Sequence, residues 1–331
     1  MATYYWVGGN GTWDNSSKTN WATVSGGAGG NGPPTSADTV NFDASSGTGT
    51  CTTAATAACS ALVFNTANIT LTLGANFTMT DLLTLTAGTI NLAGFTFNAG
   101  RIASNNSNTR SIAFGSGSIN LNSSNTNILN FATATGFSYT GTPTVNATYS
   151  GATGTRSISF GNTAGATESN SLTVNITAGT DSFSFGSGSG VKNLNFSGFS
   201  GSLTGSGVTV YGNATYSSGM TISSAVNQTY AATTGTQQLT TNGKTLDFPI
   251  TINGVGTTVQ LQDNLTMGST RTLTLTNGTL DLTGNSGNWT LTTGLFASSN
   301  SNTRVIKFGT GNITIVGSGT VWNTGTVTNL S

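Results

Sequence analysis

One block of this chain is written twice, and its internal spacing leaves few folds open. Residues 69–121 read "ITLTLGANFTMTDLLTLTAGTINLAGFTFNAGRIASNNSNTRSIAFGSGSINL" and residues 257–315 read "TTVQLQDNLTMGSTRTLTLTNGTLDLTGNSGNWTLTTGLFASSNSNTRVIKFGTGNITI". Phe77 and Met79 align with Leu265 and Met267 at an offset of 188; Leu83, Leu85, Gly88, Ile90 and Leu92 align with Leu273, Leu275, Gly278, Leu280 and Leu282 at 190. Arg110, Phe114 and Ile119 align with Arg304, Phe308 and Ile313 at 194. The offset grows only in turn regions, which a stack of short strands tolerates. Within each copy the unit is a triplet, apolar–polar–apolar: "LTL", "FTM", "INL", "FTF". Triplets start about every six to eight residues. Period-two alternation sends both apolar residues to one face and the threonine or asparagine to the other. Such short strands make poor hairpins but suit a coil in which each pairs with the strand one full turn away. Three per turn gives about 20 residues per coil, within the solenoid range. The fold class expected is therefore all-β: a single-stranded parallel β-solenoid, in its right-handed β-helix form.

An antiparallel β-sandwich is the rival, but its strands recur every 8–12 residues or so, a wider spacing than this one. Helix is disfavoured almost everywhere: the chain has one glutamate, Glu168, and Thr, Val, Ile and Phe favour strands while Gly, Asn and Ser favour turns. A looser third copy, "GTRSISFGNT", runs from Gly154 to Thr163, and "VNATYSGATGTR" (145–156) is echoed by "GNATYSSGMTIS" (212–223). No linker separates these blocks. Units that bury their faces only against neighbours count as one domain, so residues 46–331 are assigned to the solenoid.

Residues 1–45 differ. "YYWVGGNGTWDNSSKTNWATVSGGAGGNGPPTSADTVNFD" holds Trp6, Trp13 and Trp21, three of the five tryptophans. A solenoid end exposes unpaired strand edges and an apolar cross-section. These aromatics are expected to form an N-terminal cap, with docking onto a partner as the functional alternative.

Composition narrows the chemistry. Charged residues are 5% of the chain, against about 25% in an average soluble domain. Nine basic and nine acidic residues cancel, so no basic stripe exists for nucleic acid. No apolar run approaches the 18 or so residues of a membrane span. The opening "MATYYWVGGNGTW" lacks the basic and apolar regions of a signal peptide. Cys51 and Cys59 are then expected as reduced thiols, with a disulfide as the lesser reading. Asn-X-Ser/Thr triplets such as "NIT" at 68–70 are expected by chance in a chain this rich in Asn and Thr.

The absence of histidine removes Ser-His-Asp and Cys-His catalysis and most zinc sites. Glycine-rich stretches such as "GSGSG" (186–190) lack the Lys-Ser/Thr of a phosphate loop. Carboxylates are the remaining catalytic candidates. Asp247, Asp263 and Asp281 are about one coil apart and a stack on one face is conceivable. Turn and solvent roles are nevertheless expected, with Asp281 outward in "LDL". Asp38 and Asp43 come nearest to a calcium loop but lack its density of carboxylates. Arg110, Arg156 and Arg304 each open a "TR-x-I-x-F-G" strand ending in Phe114, Phe160 and Phe308, and are expected as structural repeat residues. An outward arginine there is placed to hydrogen-bond carbonyls of a neighbouring turn. No catalytic residue, cofactor or metal is assigned.

The opening "WVGGNGTW…NW…PTSADTVNFD", the blocks "LTLTAGTINL" and "LTLTNGTLDL", and the recurrent "NTR-x-I-x-FG" together resemble β-solenoid proteins of marine bacteriophages. Related openings occur in bacterial adhesin-like proteins. The resemblance covers nearly the whole chain, and its motifs specify fold more than activity. It implies a non-enzymatic virion component, a fibre, spike or capsid decoration, present in several copies and often trimeric. The implied partners are other copies of itself and other virion proteins, with weak contacts to host-surface glycans through a Thr/Asn/Ser surface. The implied localisation is the virion, after synthesis in the host cytoplasm. A bacterial cell-surface adhesin and a polysaccharide-cleaving β-helix enzyme are the alternatives.

Overall fold

The structure, a computed structural model, describes residues 1–133, 135–160, 167–223 and 226–331. Residues 161–163, which end the third copy of the arginine motif, lie outside the described residues. The chain is an all-β, parallel β-solenoid of about 12 turns with a coil spacing of about 22 residues. It contains two compact units: Met1–Tyr149 with Arg156–Gly165, and Ser150–Thr155 with Ala166–Ser331.

In the first unit each coil contributes to three parallel ladders. One aligns Val40, Leu62 and Leu83. A second aligns Cys51, Leu71, Ile90 and Ile112. The third aligns Phe77, Phe97, Ile119 and Val145. All of these side chains are buried, and burial of each Leu, Ile or Phe contributes about 1.5–3 kcal/mol. The polar residues between them face outward and form rungs of their own. Asn146 Nδ2 donates to Asn120 Oδ1 at 2.7 Å, and Asn120 Nδ2 donates to Asn98 Oδ1 at 2.9 Å.

The second unit repeats this plan. Val210, Tyr230, Ile252 and Leu275 align in one ladder. Val259, Leu280 and Ile306 align in another, and Leu265, Leu291 and Ile313 in a third.

The triplets are not all separate strands. Ala61–Leu73 is continuous over 13 residues and Ile250–Leu261 over 12. Each long strand serves two ladders and turns a corner midway, where the register shifts between Asn65 and Thr70 and between Asn253 and Thr258. Glycine makes the corner of the next coil. Gly88 has φ +95°, and a Cβ there would lie 2.0 Å from the Thr66 carbonyl oxygen. Its counterpart Gly278 has φ +84°, with the Gly254 oxygen at 2.6 Å. Both positions need a residue without a side chain.

The parallel ladder begins at Thr3, inside the segment expected as a cap: Thr3 pairs with Thr39, which pairs with Ala61. Gly11–Trp13 likewise pairs with Gly49–Thr53. What departs from the coil is the loop that follows Trp13. It returns as the short strand Trp21–Ala22, which pairs antiparallel with Thr3–Trp6 and occupies its outer edge. No helix among the described residues is long and apolar enough to cross a membrane.

Candidate functional site

Trp6, Trp13 and Trp21 converge on Phe42, all with no exposed surface. Trp21 meets Trp6 edge-to-face at 5.0 Å and Trp13 at 5.3 Å; Trp13 also meets Phe77 at 5.2 Å. The indole of Trp6 donates to the Gly9 carbonyl at 3.1 Å. The sequence places three tryptophans within 16 residues, and antiparallel return of Trp21 brings them into one cluster. Their rings face inward, so any partner meeting this end touches the covering loop and not the indoles. Asp38 fastens the same end: its carboxylate accepts from Ala2 N at 2.7 Å and from Thr35 N and Oγ1 at 3.0 and 2.7 Å. The Ala2 amide and Thr35 hold its pKa below the ordinary carboxylate value against the opposing effect of burial.

Arg110, Arg156 and Arg304 are buried, 1%, 0% and 0% exposed, and not outward. The alternation rule itself requires this. Arg110 is in phase with Ile112 and Phe114, so it enters the same interior. Room for the guanidinium comes from a loop between two strands of the coil. Arg110 Nε donates to Ser104 Oγ at 2.7 Å, and Nη2 donates to the Ser104 carbonyl at 2.8 Å. Nη1 donates to the Asn108 and Thr135 carbonyls, both at 2.8 Å, and Nη2 to Thr133 O at 2.5 Å. The Phe137 ring lies 5.2 Å from its Cζ. Arg304 builds the same box from Ser298, Asn300, Asn302 and Thr328. The serine is fixed alike in both, donating to Leu85 O at 2.8 Å in one and to Leu275 O at 2.9 Å in the other. Arg156 stands over the Tyr149 ring at 5.5 Å. Arg110 and Arg304 close loop carbonyls, and Thr133 and Thr135 belong to the next coil. Burial lowers the Arg110 pKa, yet a guanidinium remains charged throughout the ordinary pH range.

The phenylalanines of the motif diverge. Phe114 and Phe160 are buried, whereas Phe308 is 40% exposed. The turn after Phe114 recurs after Phe308, with Gly117 N donating to Phe114 O and Gly311 N to Phe308 O, both at 2.8 Å. Phe114 is covered by Tyr139, edge-to-face at 6.4 Å.

The three carboxylates considered for catalysis are not in one file. Asp281 lies level with Gln260 and Lys307. Its expected outward exposure is not met: it is 4% exposed, with Oδ1 accepting from Thr283 N and Oγ1 at 2.9 and 2.7 Å. Burial alone would raise its pKa; the hydrogen bonds of Thr283 and Gln260 and the charge of Lys307 at 3.8 Å hold it below the ordinary value. Asp263 accepts from the amides of Thr241 and Asn242, capping a turn, and Asp247 pairs with Arg271 at 2.8 Å. Asp43 accepts from the Ser45 amide at 2.9 Å. Among the described residues no group of three or more Asp, Glu or Cys is placed to hold a metal ion. Cys51 and Cys59 are buried free thiols whose pKa burial pushes up, which makes them unreactive.

A regular surface does emerge in the first unit. Outward from the ladder of Cys51, Leu71, Ile90 and Ile112 run two parallel files. The first is Thr50, Thr70, Thr89, Ser111 and Ser138. The second is Thr12, Thr52, Thr72, Asn91, Ala113 and Thr140. All are half-buried or exposed, none is charged, and Thr89 and Ser111 hydroxyls lie 2.8 Å apart. The signal in the sequence was the repeated T-x-T at 50–52 and 70–72, whose meaning depends on register. Compared with known proteins, the chain matches no family model, no curated protein and no solved structure.

Proposed function

We propose that this chain is a structural virion protein, a fibre, spike or capsid-decoration component, and not an enzyme. The observation that carries the reading is the use of its few charged groups. Buried Arg110 and Arg304 hold loops between coils, and Asp38, Asp263 and Asp281 tie down backbone and neighbouring side chains. A framework of this kind, repeated along a parallel β-solenoid, supports a load-carrying or displaying role. The virion assignment itself rests on the opening and repeat motifs that resemble phage β-solenoids. Association with further copies of itself follows from the same reading, since a low-charge surface offers little electrostatic resistance to contact.

The test is immunogold labelling of particles and cells from the source culture, with an antibody raised against the full chain. Label at regular positions on virions is expected. Label confined to the surface of uninfected cells would replace this reading with that of an adhesin.

A further inference from the structure

We infer that the two-file hydroxyl face of the first unit binds ice. The inference is independent of the virion role. Register places successive rungs of each file one strand spacing apart, about 4.8 Å, and the two files two residues apart along the strand, about 6.7 Å. The pairing runs without a slip through Thr50–Thr70–Thr89–Ser111 and Thr52–Thr72–Asn91. The face is therefore a two-dimensional lattice and not a single stripe, and the surface repeats of ice fall in the same range in both directions. Threonine suits such a lattice. Its β-branched side chain is stiff at χ1, so each hydroxyl and methyl is already fixed before binding. That removes most of the ordering cost an adaptable side chain would incur.

Two features separate ice from a polysaccharide as the occupant. Neither file contains an aromatic ring for a sugar to stack on, or a carboxylate or guanidinium to grip its hydroxyls in bidentate fashion. The methyls interleaved with the hydroxyls order water without a directional site for one monosaccharide. The second copy supplies an internal control. Its corresponding residues are Thr258 and Gln260, Thr279 and Asp281, Val305 and Lys307. Long amides and opposite charges there disrupt the lattice on an equally well-paired sheet.

The experiment is partition of the full chain into a slowly grown ice hemisphere, together with thermal hysteresis. It compares wild type, Thr72→Tyr and Gln260→Tyr, with circular dichroism and thermal melting to establish that each is folded. Tyrosine is well tolerated on a strand face. Wild type is expected to enter the ice and depress its growth temperature. Thr72→Tyr should lose most of both effects, and Gln260→Tyr should retain both. Exclusion of wild type from ice, at the level of a non-binding control protein, overturns the inference. So does full partition by a folded Thr72→Tyr. Parallel sedimentation with microcrystalline cellulose and chitin completes the test: binding there without ice partition assigns the face to a glycan and also overturns it.

Discussion

The two copies of the long block share an interior and differ on one outward face. Leu71, Ile90 and Ile112 of the first copy correspond to Val259, Leu280 and Ile306 of the second, all apolar and all inward. Outside, Thr72, Asn91 and Ala113 correspond to Gln260, Asp281 and Lys307. The interior is constrained because each coil must fill the space its neighbours leave. The outer face meets water, so it is free to specialise, and in the first copy it is kept small, hydroxylated and uncharged. The arginine boxes lie on the conserved side of this division, although arginine is the least expected residue for an interior.

The largest effects should come from what the copies share. Arg110→Ala and Arg304→Ala should each cost about 3 kcal/mol or more, because several buried carbonyls lose their donors together. Denaturant unfolding would measure this, and Arg110→Lys should recover little, since an ammonium cannot fork to the same carbonyls. A loss below about 1 kcal/mol in either would break the claim that the boxes are equivalent.

Gly88→Ala and Gly278→Ala come next. Each places a Cβ against a carbonyl oxygen at positive φ, for an expected cost of about 1–3 kcal/mol. The first should cost more, its contact being 2.0 Å against 2.6 Å. Equal melting temperatures would show that the corners relax alike.

Acid should then separate the copies. The folded-state pKa of Asp281 is depressed, so its stabilisation is complete above the unfolded carboxylate pKa and is lost as pH falls through the folded value. Asn91 at the matching site does not titrate. Hydrogen exchange corrected for intrinsic rates should show Val259, Leu280 and Ile306 losing protection in acid before Leu71, Ile90 and Ile112. Asp281→Asn should flatten that limb of the pH profile.

The smallest stability effect belongs to the outward exchange itself. Thr72→Gln with Ala113→Lys, which gives two outward positions of the first copy the residues of the second, should change stability by no more than about 0.5 kcal/mol each. If the lattice inference holds, the double variant replaces part of the small outer face with long side chains and lowers ice partition. Unchanged partition by the folded double variant would count against the lattice.

The solenoid was legible in particular residues. "LTL" and "INL" set the period of two, and Gly88 and Gly278 mark corners that no other residue tolerates. Less legible were the long strands Ala61–Leu73 and Ile250–Leu261, because turn-type residues at their corners, such as Asn253-Gly254, shift the register without ending the strand. Arg110 was expected outward on chemical grounds although its phase with Ile112 and Phe114 placed it inward; local alternation prevailed over side-chain polarity because Ser104, Asn108 and the next coil supplied acceptors. Asp281 was misplaced for the complementary reason. Its phase is outward, but Thr283, Gln260 and Lys307 cover it.

The sequence by itself determined the period, the parallel stacking it demands and the division into inward and outward residues, since each follows from spacing along one strand. Only the tertiary structure decided which outward residues stand side by side. Thr50, Thr70 and Thr89 become neighbours through the register between coils, which corner geometry and loop length set over separations the local pattern does not span. The same register closed the arginine boxes with carbonyls of the next coil, whereas an antiparallel return outside the coil brought Trp21 onto Trp6, because buried polar and aromatic groups are satisfied by partners the local pattern does not reach.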